Sequence, residues 1–108
     1  MKITKIQGTN MEMTEAIRNY VESKLSKLEP KLERFGEAAS LEVEVGKTTN
    51  HHNKGDVFRC EIHVILPGKT IQVDDVQDDL YQAIVNARDK ADREIVEYKE
   101  SFDGRRRD

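Results

Sequence analysis

The apolar residues in the first third of the chain recur at helical intervals. From residue 17 onward the intervals are four, four, three and four, which predicts an amphipathic helix with one apolar stripe. Thr14 is the predicted N-cap, because its side-chain oxygen can accept from a backbone N–H of the first turn. Pro30 should end or kink the helix, since proline lacks the backbone donor and clashes with the preceding turn. The stripe consists of Ile17, Val21, Leu25, Leu28 and Leu32.

A second and longer helical stripe runs through the last third of the chain. Asp75 is predicted as its N-cap, and Asp78 and Asp79 in the first turn suit the positive end of the helix dipole. This helix is predicted to span about 24 residues, or roughly 36 Å. Its apolar stripe is Val76, Leu80, Ile84, Ala87, Ala91, Ile95 and Tyr98.

Between the two helices apolar residues alternate with polar ones, which is typical of half-buried strands. Pro67 and Gly68 form a strong turn signal and predict a hairpin. Residues 2–7 predict another strand. Ile3 and Ile6 would point to opposite faces of a regular strand, so the sequence does not show which face of this strand is buried. The inward residues of the other strands are Leu41, Val43 and Val45, then Phe58, Cys60, Ile62, Val64 and Leu66, then Ile71 and Val73.

The predicted fold is therefore α+β, with the element order β-α-β-β-β-α. Since the strands and the helices each have one apolar face, we expect two layers: a four-stranded mixed sheet with both helices packed on one face. The first two strands should be parallel neighbours, and the other two pairings antiparallel hairpins. Residues 1–102 are predicted to form this single domain, and 103–108 a flexible basic tail that includes three consecutive arginines.

Composition limits where the protein acts and what it contacts. The chain has 108 residues, 18 of them basic and 21 acidic, for a formal net charge of −3. Its apolar runs are too short for a membrane span, and its N-terminus lacks the apolar core of a secretory signal. The one cysteine, Cys60, favours a reducing compartment, so we expect a soluble, cytoplasmic protein without a membrane partner. The net charge alone is unfavourable for nucleic-acid binding, although a basic stripe on one face can coexist with an acidic remainder.

No motif predicts catalysis, a metal, a cofactor or a small-molecule substrate. The chain lacks a phosphate-binding glycine loop, a nucleophile elbow and a zinc-protease motif. Cys60 shares the inward parity of its strand and is expected to be a buried apolar filler. His51 and His52 are adjacent in a polar loop, which rarely directs two ligands to one zinc ion. The two pairs of adjacent aspartates, Asp74-Asp75 and Asp78-Asp79, are explained by helix capping.

The basic residues follow a clearer pattern. Four of them lie on the first predicted helix at intervals of three, four and three, in one stripe beside the apolar one. On the last helix, basic residues alternate with nearby acids, so that helix is net acidic. These residues alone support a soluble α+β domain with RNA binding as one hypothesis. The first stripe consists of Lys24, Lys27, Lys31 and Arg34.

Three stretches carry a resemblance to a known family. The first is 10–18 (NMEMTEAIR) with 24–29 (KLSKLE), and the second is 51–59 (HHNKGDVFR) running through LPG at 66–68. The third is 79–84 (DLYQAI), followed by Lys90 and Arg93. In this combination and spacing, over nearly the whole chain, the sequence resembles the ribosome hibernation promoting factor and ribosome-associated inhibitor family, also called sigma-54 modulation proteins.

The resemblance implies a stationary-phase or stress factor that inhibits translation. Such proteins occupy the messenger and transfer RNA channel of the small ribosomal subunit, where basic side chains of both helices meet ribosomal RNA phosphates. It further implies a short form without the second, dimerising domain of the long members. The family's last helix is usually richer in lysine and arginine, whereas this one carries Asp92, Glu94 and Glu97. The resemblance assigns RNA contacts to Arg18, Lys24, Lys27, Lys90, Arg93 and Lys99, and the stripe on the first helix adds Lys31.

Two other functions remain open at this point. A general double-stranded-RNA-binding module would bind free duplex RNA as well as ribosomes. A protein–protein regulator would act through the outer sheet face, which is mixed and polar and offers no apolar anchor. The residues of that face are Glu42, Glu44, Arg59, Glu61, His63 and Gln72.

Overall fold

The predicted element order is confirmed. A computed structural model describes residues 1–49 and 55–107, and side chains for residues 1–48 and 55–101; His51 and His52 lie outside the described residues. The first helical region consists of two short α-helices, each followed by a 3₁₀ segment, Ser26–Leu28 and Glu33–Ala38. The strands and α-helices are β1 (Lys2–Thr9), α1 (Glu15–Leu25), α2 (Glu29–Leu32), β2 (Ser40–Thr49), β3 (Asp56–Leu66), β4 (Lys69–Gln77) and α3 (Leu80–Arg107).

The four strands form one mixed sheet in the order β1-β2-β3-β4. β1 is parallel to β2, while β2 with β3 and β3 with β4 are antiparallel pairs, as predicted. The helices pack on one face of this sheet, and the alternating apolar residues of the strands join the helix stripes in one core. The fully buried large side chains of that core include Val21, Leu25, Leu28, Leu32, Leu41, Ile62, Ile71, Ile84 and Ile95.

A register shift in β1 places its two isoleucines, Ile3 and Ile6, on the same face of the sheet. Ile3 pairs with Leu41, but Lys5 pairs with the very next residue of β2, so Thr4 is an extra residue in the ladder. Such a bulge reverses the alternation once. Ile3 and Ile6 consequently both pack against the core, and the Thr4 hydroxyl donates to the Leu41 carbonyl at 3.3 Å.

Pro30 interrupts the α-helical hydrogen bonding of the first helical region without displacing its apolar stripe. The prolyl nitrogen cannot donate to the carbonyl four residues earlier, Ser26, and that carbonyl instead accepts from the N–H of Glu29 in a 3₁₀ bond. Leu25 and Leu32, on either side of this interruption, are both fully buried. The lysines before and after Pro30 therefore remain beside a continuous core.

The start of the last helix differs from the prediction. Asp75 lies within β4, so its prediction as N-cap was wrong, and Val76 is 47% exposed instead of belonging to the apolar stripe. Asp79 caps the helix: its carboxylate accepts from the Tyr81 N–H at 3.0 Å. The helix has 28 residues and includes most of the segment 103–108 that was predicted as a basic tail.

Candidate functional site

The first helical region and α3 run side by side in the same direction. Tyr20 meets Tyr81 with ring centroids 4.6 Å apart, and Lys31 forms an ion pair with Asp92. Tyr20 and Lys31 are eleven residues apart, as are Tyr81 and Asp92, and eleven residues correspond to about three helical turns. Their flanks therefore face each other along a common seam. We call this seam the interhelical surface; it consists of Tyr20, Lys24, Lys27 and Lys31 from the first helical region and Tyr81, Arg88, Asp92 and Lys99 from α3.

Three lysines line the interhelical surface on its first side. They follow Tyr20 at intervals of four, three and four, which keeps them on one flank of a helix. The Lys24 ammonium lies 5.2 Å from the centroid of the Tyr20 ring. Lys27 is exposed and forms no ion pair with another described residue. Lys31 is paired with Asp92, but the Lys31 side chain remains 40% exposed.

The α3 side contributes two cations and the carboxylate that Lys31 contacts. Arg88 is the more buried cation: its side chain is 16% exposed and donates through Nη2 to Asp89 at 2.8 Å. Lys99 lies on the same flank, eleven residues later, and forms no ion pair within the described part of the chain. Arg88 was not among the predicted contacts. The signal for it was its place on the same helical flank as Tyr81, Asp92 and Lys99, at intervals of seven, four and seven.

Lys90 and Arg93 point to the opposite flank of α3, toward β4. The Lys90 ammonium contacts the Asp75 carboxylate at 2.9 Å and donates to the Asp74 carbonyl at 2.8 Å. Arg93 is exposed on that flank, which it shares with Glu97 at i+4. The structure therefore separates these two predicted contacts from the lysines of the first helix.

Asp75 connects β4 to α3 through its carboxylate. Besides Lys90, it accepts from Gln77 at 2.8 Å and from Asn86 at 3.1 Å. Burial raises the pKa of this carboxyl, but the hydrogen bonds and the charge of Lys90 outweigh burial, so the pKa lies below its ordinary value. This cluster gives Lys90 a structural role.

Arg18 also lies apart from the interhelical surface. It is two residues before Tyr20, which corresponds to about 200° around a helix. The side chain is exposed and forms no ion pair with a described residue. Of the seven predicted RNA contacts, the interhelical surface brings together Lys24, Lys27, Lys31 and Lys99, and it leaves out Arg18, Lys90 and Arg93.

The outer face of the sheet carries a network with an excess of carboxylates. Arg59 contacts Asp74 at 3.0 Å and Glu61 at 2.6 Å. The hydrogen bond to Asp74 raises the pKa of Arg59, burial partly opposes this, and the charges of both carboxylates add to it. His63 reaches Glu61 through Nε2 at 3.0 Å. Arg59 and His63 are thus engaged by the acids of this face.

The described residues offer little support for a reactive cysteine, a metal site or a membrane-spanning helix. Cys60 is fully buried, and burial raises the pKa of its thiol to about 12, so it is not an activated nucleophile. Among residues 1–48 and 55–101 there is no group of three or more histidine, cysteine or acidic side chains that could hold a metal ion. No helix in the described part of the chain is long and apolar enough to span a membrane.

Fold and surface together define a class: two-layer α+β domains that present cationic side chains along the seam of two parallel helices. Residues 4–102 match the family model described as sigma 54 modulation protein / S30EA ribosomal protein. The chain belongs to this family, which confirms the resemblance seen in the sequence.

Curated relatives carry the name ribosome hibernation promotion factor. The chain is 30% identical over 102 residues to the protein from Deinococcus radiodurans and 32% identical over 101 residues to that from Picosynechococcus. It is also 32% identical over 104 residues to the protein from Staphylococcus aureus. These alignments cover 94–96% of this chain but only 51–52% of the relatives. The chain thus spans about half the length of the curated relatives it matches.

Solved structures show the same fold. The N-terminal domain of Thermus thermophilus Protein Y is 35% identical with a TM-score of 0.68, covering 91% of this chain and 99% of that domain. A protein from Coxiella burnetii, described as a ribosomal subunit interface protein, has a TM-score of 0.72 at 23% identity and covers 93% of this chain and 99% of its own. At that identity the second match supports the fold alone.

Proposed function

We propose that this chain is a ribosome hibernation factor that acts in the cytoplasm. It binds the small ribosomal subunit in the messenger and transfer RNA channel and inhibits translation under stress or in stationary phase. The observation that carries the proposal, beside family membership, is the row of three lysines on the interhelical surface. Such a row, about 10 Å long from Lys24 to Lys31, matches a phosphate backbone in length and charge.

Inhibition in this proposal is steric. A folded domain that fills the channel excludes messenger and transfer RNA, so no bond is made or broken and no cofactor takes part. Recognition rests on phosphate positions and RNA shape and needs no sequence code.

The proposed RNA contacts differ in how readily each side chain can reach a phosphate. Lys24, Lys27 and Lys99 are available as they stand. Lys31 must exchange Asp92 for a phosphate, a small cost because a partly exposed ion pair is worth roughly 0.2–1 kcal/mol. Arg18 and Arg93 are proposed as peripheral contacts, because they lie on other flanks. Lys90 contributes mainly through the fold.

Co-sedimentation with purified bacterial ribosomes and separated subunits tests the proposal. We expect saturation at one copy per small subunit. With four phosphate contacts, the slope of log affinity against log salt should be about −3, so affinity should fall about 60-fold between 50 and 200 mM salt. The double variant Lys24→Glu/Lys27→Glu should weaken binding at 50 mM salt by at least tenfold and roughly halve the slope.

A matched control separates local contacts from net charge. Lys5→Glu/Lys69→Glu makes the same change in net charge at two exposed residues outside the helices, and it should change binding far less. Equal losses in the two double variants, or no binding at 50 mM salt, would sink the proposal. Equal affinity for free duplex RNA, without saturation at one site per ribosome, would instead favour a general duplex-RNA-binding module.

A further inference from the structure

The Tyr20–Tyr81 pair lies at one end of the interhelical surface, and Tyr81, unlike Tyr20, is not packed against the core. Tyr81 is 43% exposed, and Val76 is the other exposed large apolar side chain among the described residues. The core contacts of this turn of α3 come from Leu80, Ala83 and Ile84, which are buried. Tyr81 is therefore held at the surface by its neighbour Tyr20.

The geometry of the pair leaves an aromatic surface open. The rings meet at 4.6 Å with an interplanar angle of 83°, an edge-to-face contact. In such a contact the edge of one ring meets the face of the other, so the two rings do not cover each other face to face. Neither hydroxyl forms a hydrogen bond with a described residue. Because Tyr20 is half-buried against the core, the exposed Tyr81 ring is supported in a defined position.

Positive charge begins directly beside the pair. The Lys24 ammonium lies 5.2 Å from the Tyr20 centroid, and Lys27 follows on the same flank. An aromatic ring that opens onto a row of cations is the arrangement by which proteins stack a base and track its backbone. An RNA duplex does not offer this contact, because its base faces are covered by their neighbours.

We propose that Tyr81, supported by Tyr20, stacks on an unpaired RNA base while Lys24 and Lys27 hold the adjoining phosphates. This inference rests on the proposed function and deepens it by naming the chemical feature that the interhelical surface recognises: a single-stranded, unstacked nucleotide next to a phosphate backbone. The stacking contribution carries no net charge. It should therefore persist at salt concentrations that weaken the lysine contacts.

Substitutions at Tyr81, assayed by titration with small ribosomal subunits at several salt concentrations, test the inference. Tyr81→Ala should weaken binding about tenfold at every salt concentration, because a stacked base is worth roughly 1–3 kcal/mol, and it should leave the salt slope unchanged. Tyr81→Phe should bind within about twofold of the wild type, since every aromatic face can stack. Tyr81→Leu keeps an apolar side chain without a π-face and should behave like the alanine variant.

Three results would overturn the inference while leaving ribosome binding intact. Wild-type affinity of Tyr81→Ala would show that no base is stacked. Wild-type affinity of Tyr81→Leu would indicate an apolar contact, such as one to a ribosomal protein. Loss in Tyr81→Phe equal to that in alanine would assign the contact to the hydroxyl. Lys24→Gln is the matched comparison: it should lower the magnitude of the salt slope by about 0.7–0.9.

A second measurement does not depend on ribosomes. A single-stranded RNA oligonucleotide containing 2-aminopurine changes fluorescence when that base stacks, and the protein contributes no tryptophan signal because it has none. At low salt and excess protein, we expect quenching by the wild type and Tyr81→Phe, and none by Tyr81→Ala. Ribosome binding with equal quenching by all three proteins would refute stacking alone. Quenching without ribosome binding would refute the proposed function alone.

Discussion

Removal of the Asp75 carboxylate should destabilise the fold more than removal of any exposed acid. The side chain is 11% exposed and lies where β4 meets α3. It accepts from Lys90 at 2.9 Å, Gln77 at 2.8 Å and Asn86 at 3.1 Å. Asp75→Ala removes the acceptor for all three donors at once.

The expected loss is about 3 kcal/mol. Each hydrogen bond from an uncharged amide to this carboxylate contributes roughly 1–1.5 kcal/mol. The ion pair with Lys90, whose side chain is 41% exposed, adds only about 0.5 kcal/mol because water screens it. Lys90 also keeps its hydrogen bond to the Asp74 carbonyl. For a domain of this size, about 3 kcal/mol corresponds to a fall in Tm of roughly 12–20 °C.

Thermal and urea unfolding at pH 7, followed by circular dichroism, measure this loss. Asp78→Ala is the matched control, because Asp78 is exposed close by and has no ion pair or side-chain hydrogen bond with a described residue. It should change stability by less than about 0.5 kcal/mol. If the two variants unfold alike, the Asp75 cluster does not join β4 to α3 in the way described, and Lys90 returns to the set of available RNA contacts.

The stability difference should also depend on pH in a defined direction. The pKa of Asp75 in the folded protein lies below its ordinary value of 3.8. The charged carboxylate therefore stabilises the fold fully above the unfolded pKa, and this contribution is lost as the pH falls through the folded pKa. The gap between wild type and Asp75→Ala should be constant from about pH 7 to 5 and narrow below about pH 4. A gap that widens on acidification would contradict the assigned pKa shift.

Two further predictions concern one residue of the sheet and one residue of its β3–β4 turn. Cys60 is fully buried, with a thiol pKa of about 12. A thiol reagent at pH 8 should therefore label the native protein at least 100-fold more slowly than the urea-unfolded protein. Equal labelling rates would contradict the burial of Cys60. Gly68 has φ of 76° in the β3–β4 turn. Gly68→Ala should therefore cost about 1 kcal/mol of unfolding free energy, and Gly68→Asn should cost less. An alanine variant as stable as the wild type would argue against this turn.

The fold could be predicted because its apolar pattern is unambiguous at most positions. Leu41, Val43 and Val45 alternate without interruption, and all three are buried. The prediction failed where local chemistry had two solutions. Asp75 precedes a helical stripe and resembles an N-cap, yet it also continues the alternation of Ile71 and Val73. The strand prevailed because α3 supplies donors to its carboxylate, a tertiary contact that no local pattern contains.

The bulge in β1 illustrates the same limit from another side. Parity alone placed Ile3 and Ile6 on opposite faces of a regular strand. Their common burial requires one extra residue in the ladder, and Thr4 can occupy that position because its hydroxyl donates to β2. A bulge is selected by the partner strand, so β1 by itself did not reveal it.

The candidate site was predictable in its residue types and not in its arrangement. Spacing on the first helix placed Lys24, Lys27 and Lys31 on one flank, and the structure keeps them there. Which cations of α3 share that seam depends on the rotation of α3 against the sheet. Lys90 and Lys99 look alike in the sequence, but only Lys90 is opposite Asp75.

The separation of charges between surfaces reconciles a net charge of −3 with a proposed RNA-binding role. The outer sheet face holds an excess of carboxylates whose partners include Arg59 and His63, and the acids of α3 at Glu94 and Glu97 lie on the flank away from the first helix. The interhelical surface includes one carboxylate, Asp92, which is paired with Lys31, and the adjoining Asp89 is paired with Arg88. A polyanion approaching the sheet would meet repulsion, and one approaching the helices would meet lysines. Net charge reports the sum of both surfaces, whereas binding depends on the one that faces the RNA. In the proposed RNA channel, an acidic outer face would favour one orientation, with the helices toward the phosphates and the sheet away from them.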